Sequence, residues 1–145
     1  YGGSNYPLVI ENGAFFGCTS LTTASFPNAT SINGNAFYNC TSLTTASFPN
    51  ATSIGFNVFH SCTSLTTVNL PSATSIGSSA FSGCTSLKEL TLGNVITTDT
   101  GTTFQNVKLI NLKIAQDVTS TDINRIKQFY ADNGGTFTGA QINSI

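Results

Sequence analysis

Between Asn12 and Leu87 the sequence contains no Asp, Glu, Lys or Arg. Charged residues make up 8% of the chain, against a usual share of about a quarter, and Glu11 is the sole charge before Lys88. That stretch must therefore stay wetted by Thr, Ser and Asn. The formal net charge of −1 offers no field for nucleic acid or an anionic lipid surface. No apolar run approaches the ~20 residues of a membrane-crossing helix, so no membrane span is expected. No leader peptide is visible. With no Met and Tyr1 at the start, the sequence reads as a processed or trimmed product, so the missing leader does not argue against secretion.

Catalytic signatures are equally scarce. His60 is the only histidine, and other repeats place Phe16, Tyr38 and Ser82 at its position. There is no G-x-S-x-G, no Gly-rich phosphate loop and no pair of acids. Neither an enzyme nor a cofactor is expected.

What is present is a period. Cys18, Cys40, Cys62 and Cys84 stand 22 residues apart. Leu21, Leu43, Leu65 and Leu87 keep the same step, as do Phe15, Phe37, Phe59 and Phe81, and Ile10, Ile32, Ile54 and Ile76. So strict a step marks a repeat array, in which no unit buries its apolar face alone and each stacks on the next. Within one unit, Leu43–Phe48 alternates, with Ala46 and Phe48 to one side and Thr45 and Ser47 to the other, as in a strand with one buried face. Pro49 lacks an N–H and closes the strand. "NATSIG" then turns the chain, with Ala51 and Ile54 as inward anchors. Val58, Phe59 and Cys62 suit one short helical turn packed inward.

The unit is thus strand, turn, short helical segment and return, with strands stacked in parallel near residues 21–26, 43–48, 65–70, 87–92 and 109–114. It resembles a leucine-rich repeat, with LxxLxL at Leu87-Lys88-Glu89-Leu90-Thr91-Leu92. More narrowly it resembles the BspA-type repeat, C-x-x-L-x-x-[IVA]-x-[LF]-P-x-x-[AV]-x-x-I-G-x-x-A-F-x-x-C, which residues 18–40, 40–62 and 62–84 follow almost position by position. Ile10–Cys18 matches its second half, Gly93 replaces a proline, and "TTFQNVKLINLKI" is a degenerate further unit with Phe104 and Val107 in place of Phe and Cys.

The resemblance implies a repeat solenoid with a parallel β-sheet on the concave face, short helical turns on the convex face and a C-terminal helical cap. The domain reading is a solenoid of about five units over 1–116, with a half-repeat at 8–18, and a cap over 117–145. In the cap, Ser120 or Thr121 would start a helix over 121–131. Ile123, Ile126 and Phe129 or Tyr130 form its apolar stripe, Arg125, Lys127 and Asp132 its wet face, and Gly134 its end.

The cysteines raise zinc and disulfide readings. A four-cysteine zinc site needs its ligands to converge on one ion, whereas this period spreads them along the solenoid axis. A disulfide needs facing side chains, whereas these point the same way. Four buried free thiols, acting as small apolar residues, is the preferred reading, with no metal. Asn28, Asn39 and Asn50 open N-x-[ST] sequons but arise from the repeat and read first as turn asparagines, with glycan attachment open for a eukaryotic secretory source.

The outward strand positions form the candidate binding face: Thr23, Thr45, Thr67, Glu89 and Asn111 in one column, and Ser25, Ser47, Asn69, Thr91 and Lys113 in the next. The bland alternative is a solvated sheet face. A regular threonine lattice for ice or carbohydrate is disfavoured, because the partner column is Ser or Asn. BspA-type relatives include surface and secreted proteins, some of them adhesins. The resemblance therefore implies a non-enzymatic scaffold for protein–protein or cell-surface adhesion, extracellular or at the cell surface, with a protein or cell-surface ligand. The alternative is a segment of a longer solenoid or fibre. At the N-terminal end, Ile10, Ala14 and Phe15 are expected to shield the core. The outer edge of strand 21–26 stays open unless residues 5–10 pair with it, and an open edge invites homo-assembly or a preceding domain.

Overall fold

The computed structural model describes residues 7–93, 102–114, 127, 128, 130–132 and 134–144. Two parallel sheets run along one solenoid. The larger contains β2 (Thr23–Ser25), β4 (Thr45–Ser47), β6 (Thr67–Leu70), β8 (Glu89–Leu92), β9 (Lys108–Ile114) and β10 (Thr136–Ser144), in the order β10-β9-β8-β6-β4-β2. The first five of these fall where the alternation of Ala, Val or Leu with Thr, Ser or Asn places strands. Register is strict: Ala24, Ala46, Val68, Leu90 and Leu112 stack in one inward column, and all five are buried. A one-residue slip would turn that whole column outward.

The second sheet, absent from the sequence reading, is built from the segments read as turns. β1 (Leu8–Ile10), β3 (Ala29–Ile32), β5 (Ser53–Ile54) and β7 (Ser75–Ile76) pair in that order, all in parallel. Ala29, Ala51 and Ala73 and Ile32, Ile54 and Ile76 face the core, while Ser53 and Ser75 are exposed. Two to four residues are too few to show a period. Pairing becomes available only once coil stacks on coil.

The convex arcs are not the expected short helical turns. Residues 12–17, 34–39, 56–61 and 78–83 are chains of hydrogen-bonded turns. Peptides alternate in direction along each arc. Ala36 N–H bonds Asn33 within its own coil, at 3.3 Å, and Phe37 N–H bonds Val58 of the next coil, at 3.0 Å. The alternation requires left-handed backbone at fixed places. Asn35, Asn57 and Ser79 (φ 60°, 54° and 56°) occupy one, with Gly13 (φ 67°), and Asn39 and Ser61 (φ 59° and 60°) another, with Gly17 and Gly83. Gly, Asn and, less readily, Ser accept this conformation. A helix would turn those N–H groups back into its own coil and leave the coils unjoined.

The core is a column of rings. Phe15, Phe37, Phe59, Phe81 and Phe104 stack with centroids 5.0–5.6 Å apart. Tyr130 closes the C-terminal end, its ring 4.7 Å from Phe104 and its hydroxyl donating to the Val107 carbonyl at 3.1 Å. Residues 127, 128 and 130–132 are helical, with Lys127 and Asp132 exposed and Tyr130 buried. Gly134 has φ 83°, and its N–H bonds Ala131 at 3.1 Å, as at a helix end. Ser120, Thr121, Asp122, Ile123, Arg125, Ile126 and Phe129 lie outside the described residues. The sequence reading named no strand beyond the helix, whereas β10 lies there, parallel to β9.

At the N-terminal end Ile10 is buried and Phe15 half-buried, but Ala14 is exposed, contrary to expectation. Its counterpart Ala36 is fully buried because a coil precedes it. Residues 8–10 pair with β3 rather than β2, so among the described residues nothing covers the outer edge of β2.

Candidate functional site

The ten face residues lie on one sheet in two registered columns. Thr23, Thr45, Thr67, Glu89 and Asn111 follow one another across β2, β4, β6, β8 and β9, and so do Ser25, Ser47, Asn69, Thr91 and Lys113. Parallel in-register strands stand about 4.8 Å apart, so each column repeats its polar group at that interval. Thr23, Ser25, Thr45 and Glu89 are exposed, and Ser47, Thr67, Asn69, Thr91 and Lys113 half-buried.

A neighbouring threonine column is occupied differently. Thr44 and Thr66 donate their hydroxyls to the carbonyls of Thr22 and Thr44, at 3.0 and 3.1 Å, beside the amide bonds between the same residues. Thr52 and Thr74 do the same along the second sheet, at 3.4 Å. These hydroxyls reinforce coil stacking. Those of Thr23, Thr45 and Thr67 have no hydrogen bond among the described residues, and in the next column only Asn69 and Ser47 bond each other, at 3.2 Å. The alternation already sets Thr45 outward; that the Thr44 hydroxyl bonds the coil beneath is visible only in the structure.

The cysteines correct one expectation. Cys40, Cys62 and Cys84 are fully buried and Cys18 is exposed, all four as free thiols. Each buried thiol donates to a phenylalanine carbonyl of the preceding coil: Cys40 to Phe15, Cys62 to Phe37 and Cys84 to Phe59, at 3.0–3.1 Å. Among the described residues, no coil covers Cys18 and no carbonyl accepts its thiol proton. Burial pushes the Cys40 thiol up, that of Cys62 up to about 12 and that of Cys84 well above its usual range. Buried and protonated, these sulfurs are poor nucleophiles and poor metal ligands. Among the described residues no group of His, Cys, Asp and Glu is placed to hold a metal ion.

His60 belongs to an outer ring column that the sequence reading missed. Phe16 stacks on Tyr38 and Tyr38 on His60, each pair at 4.9 Å and within 8° of parallel. The step of 22 carried the signal, but with mixed residue types the position read as tolerant. His60 Nδ1 lies 2.9 Å from Ser61 Oγ, and no carboxylate among the described residues bonds it. Asn39 and Asn50 have the structural tasks expected of turn asparagines. Asn39 holds a left-handed turn position, and Asn50 Nδ2 donates to the Pro27 carbonyl of the preceding coil at 2.7 Å. Among the described residues, no helix is long and apolar enough to cross a membrane.

The comparisons agree with this geometry. No curated protein sequence matches the chain. A crystal structure of a leucine-rich repeat protein from Bacteroides ovatus is similar to it at 23% identity and a TM-score of 0.52, over 96% of this chain and 42% of that one. This chain thus spans less than half the length of that protein, and the likeness concerns the fold. The BspA type leucine rich repeat region matches residues 8–130 in six copies. With the period, the parallel coils and this match in agreement, the chain belongs to the BspA-type leucine-rich repeat family.

Proposed function

We propose that this chain is a non-enzymatic binding module that meets a protein or cell-surface partner with the outward face of its six-stranded sheet, outside the cell or at its surface. One observation carries the reading: two registered polar columns, the first of which keeps its threonine hydroxyls out of the fold's own hydrogen bonds. A rigid sheet presents such groups at fixed spacing and little ordering cost, and repeat solenoids use extended surfaces of this kind for recognition. Glu89 and Lys113 add opposite charges toward the C-terminal end of the face, where they can fix a partner's direction. The extracellular setting and the adhesive role rest on membership of the family.

The test compares two double variants. T45K/T67K places two lysines on the face, and S53K/S75K places two on the other sheet. Both should lower the melting temperature only slightly and alike, since Thr45, Ser53 and Ser75 are exposed and Thr67 half-buried and each pair sets two lysines on adjacent strands. Binding of the labelled domain to intact bacterial or host cells should be lost in the first and kept in the second. Equal binding by both would remove the face from consideration.

A further inference from the structure

The coil–coil junctions from Cys18 through Cys84 are built from the same three components, and the N-terminal end carries one half of each. The first is a row of main-chain bonds along the convex arc. Asn35, Phe37 and Asn39 donate their N–H groups to the carbonyls of Phe56, Val58 and His60, at 2.9–3.0 Å. Asn57, Phe59 and Ser61 repeat this to Ser78, Ala80 and Ser82. In the first coil the matching carbonyls are those of Asn12, Ala14 and Phe16, and no donor among the described residues reaches them. The second is the thiol bond, donated by Cys40, Cys62 and Cys84 to the coil before and, among the described residues, without an acceptor at Cys18. The third is ring stacking. Among the described residues Phe15 and Phe16 are each stacked on one face only, and Phe16 is 58% exposed. Leu8 and Val9, on the edge strand of the second sheet, are 41% and 38% exposed.

From this we infer that the N-terminal end is a half-assembled coil junction whose occupant is one further coil of the same repeat chemistry, laid in parallel register. The polarity selects that occupant. The arc presents three carbonyls in a row and no outward N–H, so it requires a segment with N–H groups at alternate residues, which an arc with left-handed residues at the Asn35 and Asn39 positions supplies. The thiol of Cys18 requires a carbonyl from the same segment, and Phe15 requires a ring. A second copy of this chain docked end to end by a two-fold axis, arc against arc, would set carbonyls against carbonyls. At the opposite end, Tyr130 packs on Phe104 and β10 pairs with β9, so among the described residues that ring and that strand are already covered.

Cys18 provides the readout. In the chain as it stands, a small alkylating reagent should label Cys18 rapidly and Cys40, Cys62 and Cys84 only after unfolding. A chain carrying an additional copy of residues 30–51 directly ahead of Leu8, in place of residues 1–7, sets a phenylalanine carbonyl over the Cys18 thiol and a ring over Phe15. Labelling of Cys18 should then slow by about 100-fold or more, because it would need local opening of the new coil. The same extension with its residues shuffled should leave Cys18 as reactive as before. Unchanged labelling with the true coil, or equal protection by the shuffled one, overturns the inference. So does light scattering that finds the unextended chain dimeric with Cys18 protected, which would assign the end to a second copy.

Discussion

At the scale of single residues, Cys62 shows why a free cysteine recurs in each coil without metal or oxidation. It fills a fully buried site and adds a weak donor to the Phe37 carbonyl, which already accepts the Cys40 N–H at 3.2 Å. Ser in its place would be smaller and more strongly hydrated, so C62S should lower stability by about 1–3 kcal/mol. The same change at exposed Cys18 should cost nearly nothing, and urea titration of the two variants makes the comparison. Equal costs would contradict the difference in burial. The thiols also set a pH dependence. The fold favours the protonated thiol, so the folded value of Cys62 lies above the ordinary 9.0. The stability this confers is whole below pH 9 and is lost as pH rises toward about 12. The denaturation midpoint should fall less steeply across that window in C62A than in the parent chain.

At the scale of elements, the convex arc joins coil to coil by main-chain hydrogen bonds, as the sheets do. Its left-handed positions account for the Asn, Ser and Gly residues that a helical reading leaves unexplained. Asn57 has φ 54° and donates from Nδ2 to Asn35 Oδ1 at 3.3 Å. N57A should cost about 1–2 kcal/mol in strain alone, and N57G, which keeps the conformation, distinctly less. Equal losses in thermal unfolding would show that the side-chain bond, and not the backbone, matters there. A related constraint acts at Gly77, where a Cβ would sit 2.5 Å from the Phe56 main-chain nitrogen. G77A should force the two coils apart and lower the melting temperature more than S78A, one residue on.

At the scale of the whole molecule, the solenoid is a one-dimensional stack whose ends differ. Each coil is stabilised by its neighbours, so the last coil must be closed by something unlike a coil. Tyr130 does this with a ring contact to Phe104 and a hydrogen bond to Val107, and β10 satisfies the edge of β9. Removing residues from Asp117 onward strips both and bares Phe104, Val107 and a strand edge. The shortened chain should bind a hydrophobic dye and aggregate on concentration. A monomer with the parent's melting temperature would show that closure is not needed.

The repeat, its length, the strands of the main sheet and the two polar columns were legible because each depends on a local pattern reiterated at a fixed step. The second sheet and the conformation of the arcs were not. A two-residue strand and a left-handed asparagine leave no period of their own, and both are settled by bonds to the next coil. The clearest case is a string that occurs twice. "CTSLTTASFPNATSI" spans residues 18–32 and again 40–54. In the second copy Cys40, Leu43 and Phe48 are fully buried. In the first, Cys18 is exposed and Leu21 and Phe26 are half-buried. Identical residues with identical local preferences diverge because burial belongs to the neighbouring coil and not to the string. The sequence alone determined what each coil would be. The tertiary structure decided, among the described residues, which coils have a neighbour, and so which thiol is exposed and which hydroxyls bond the coil beside them.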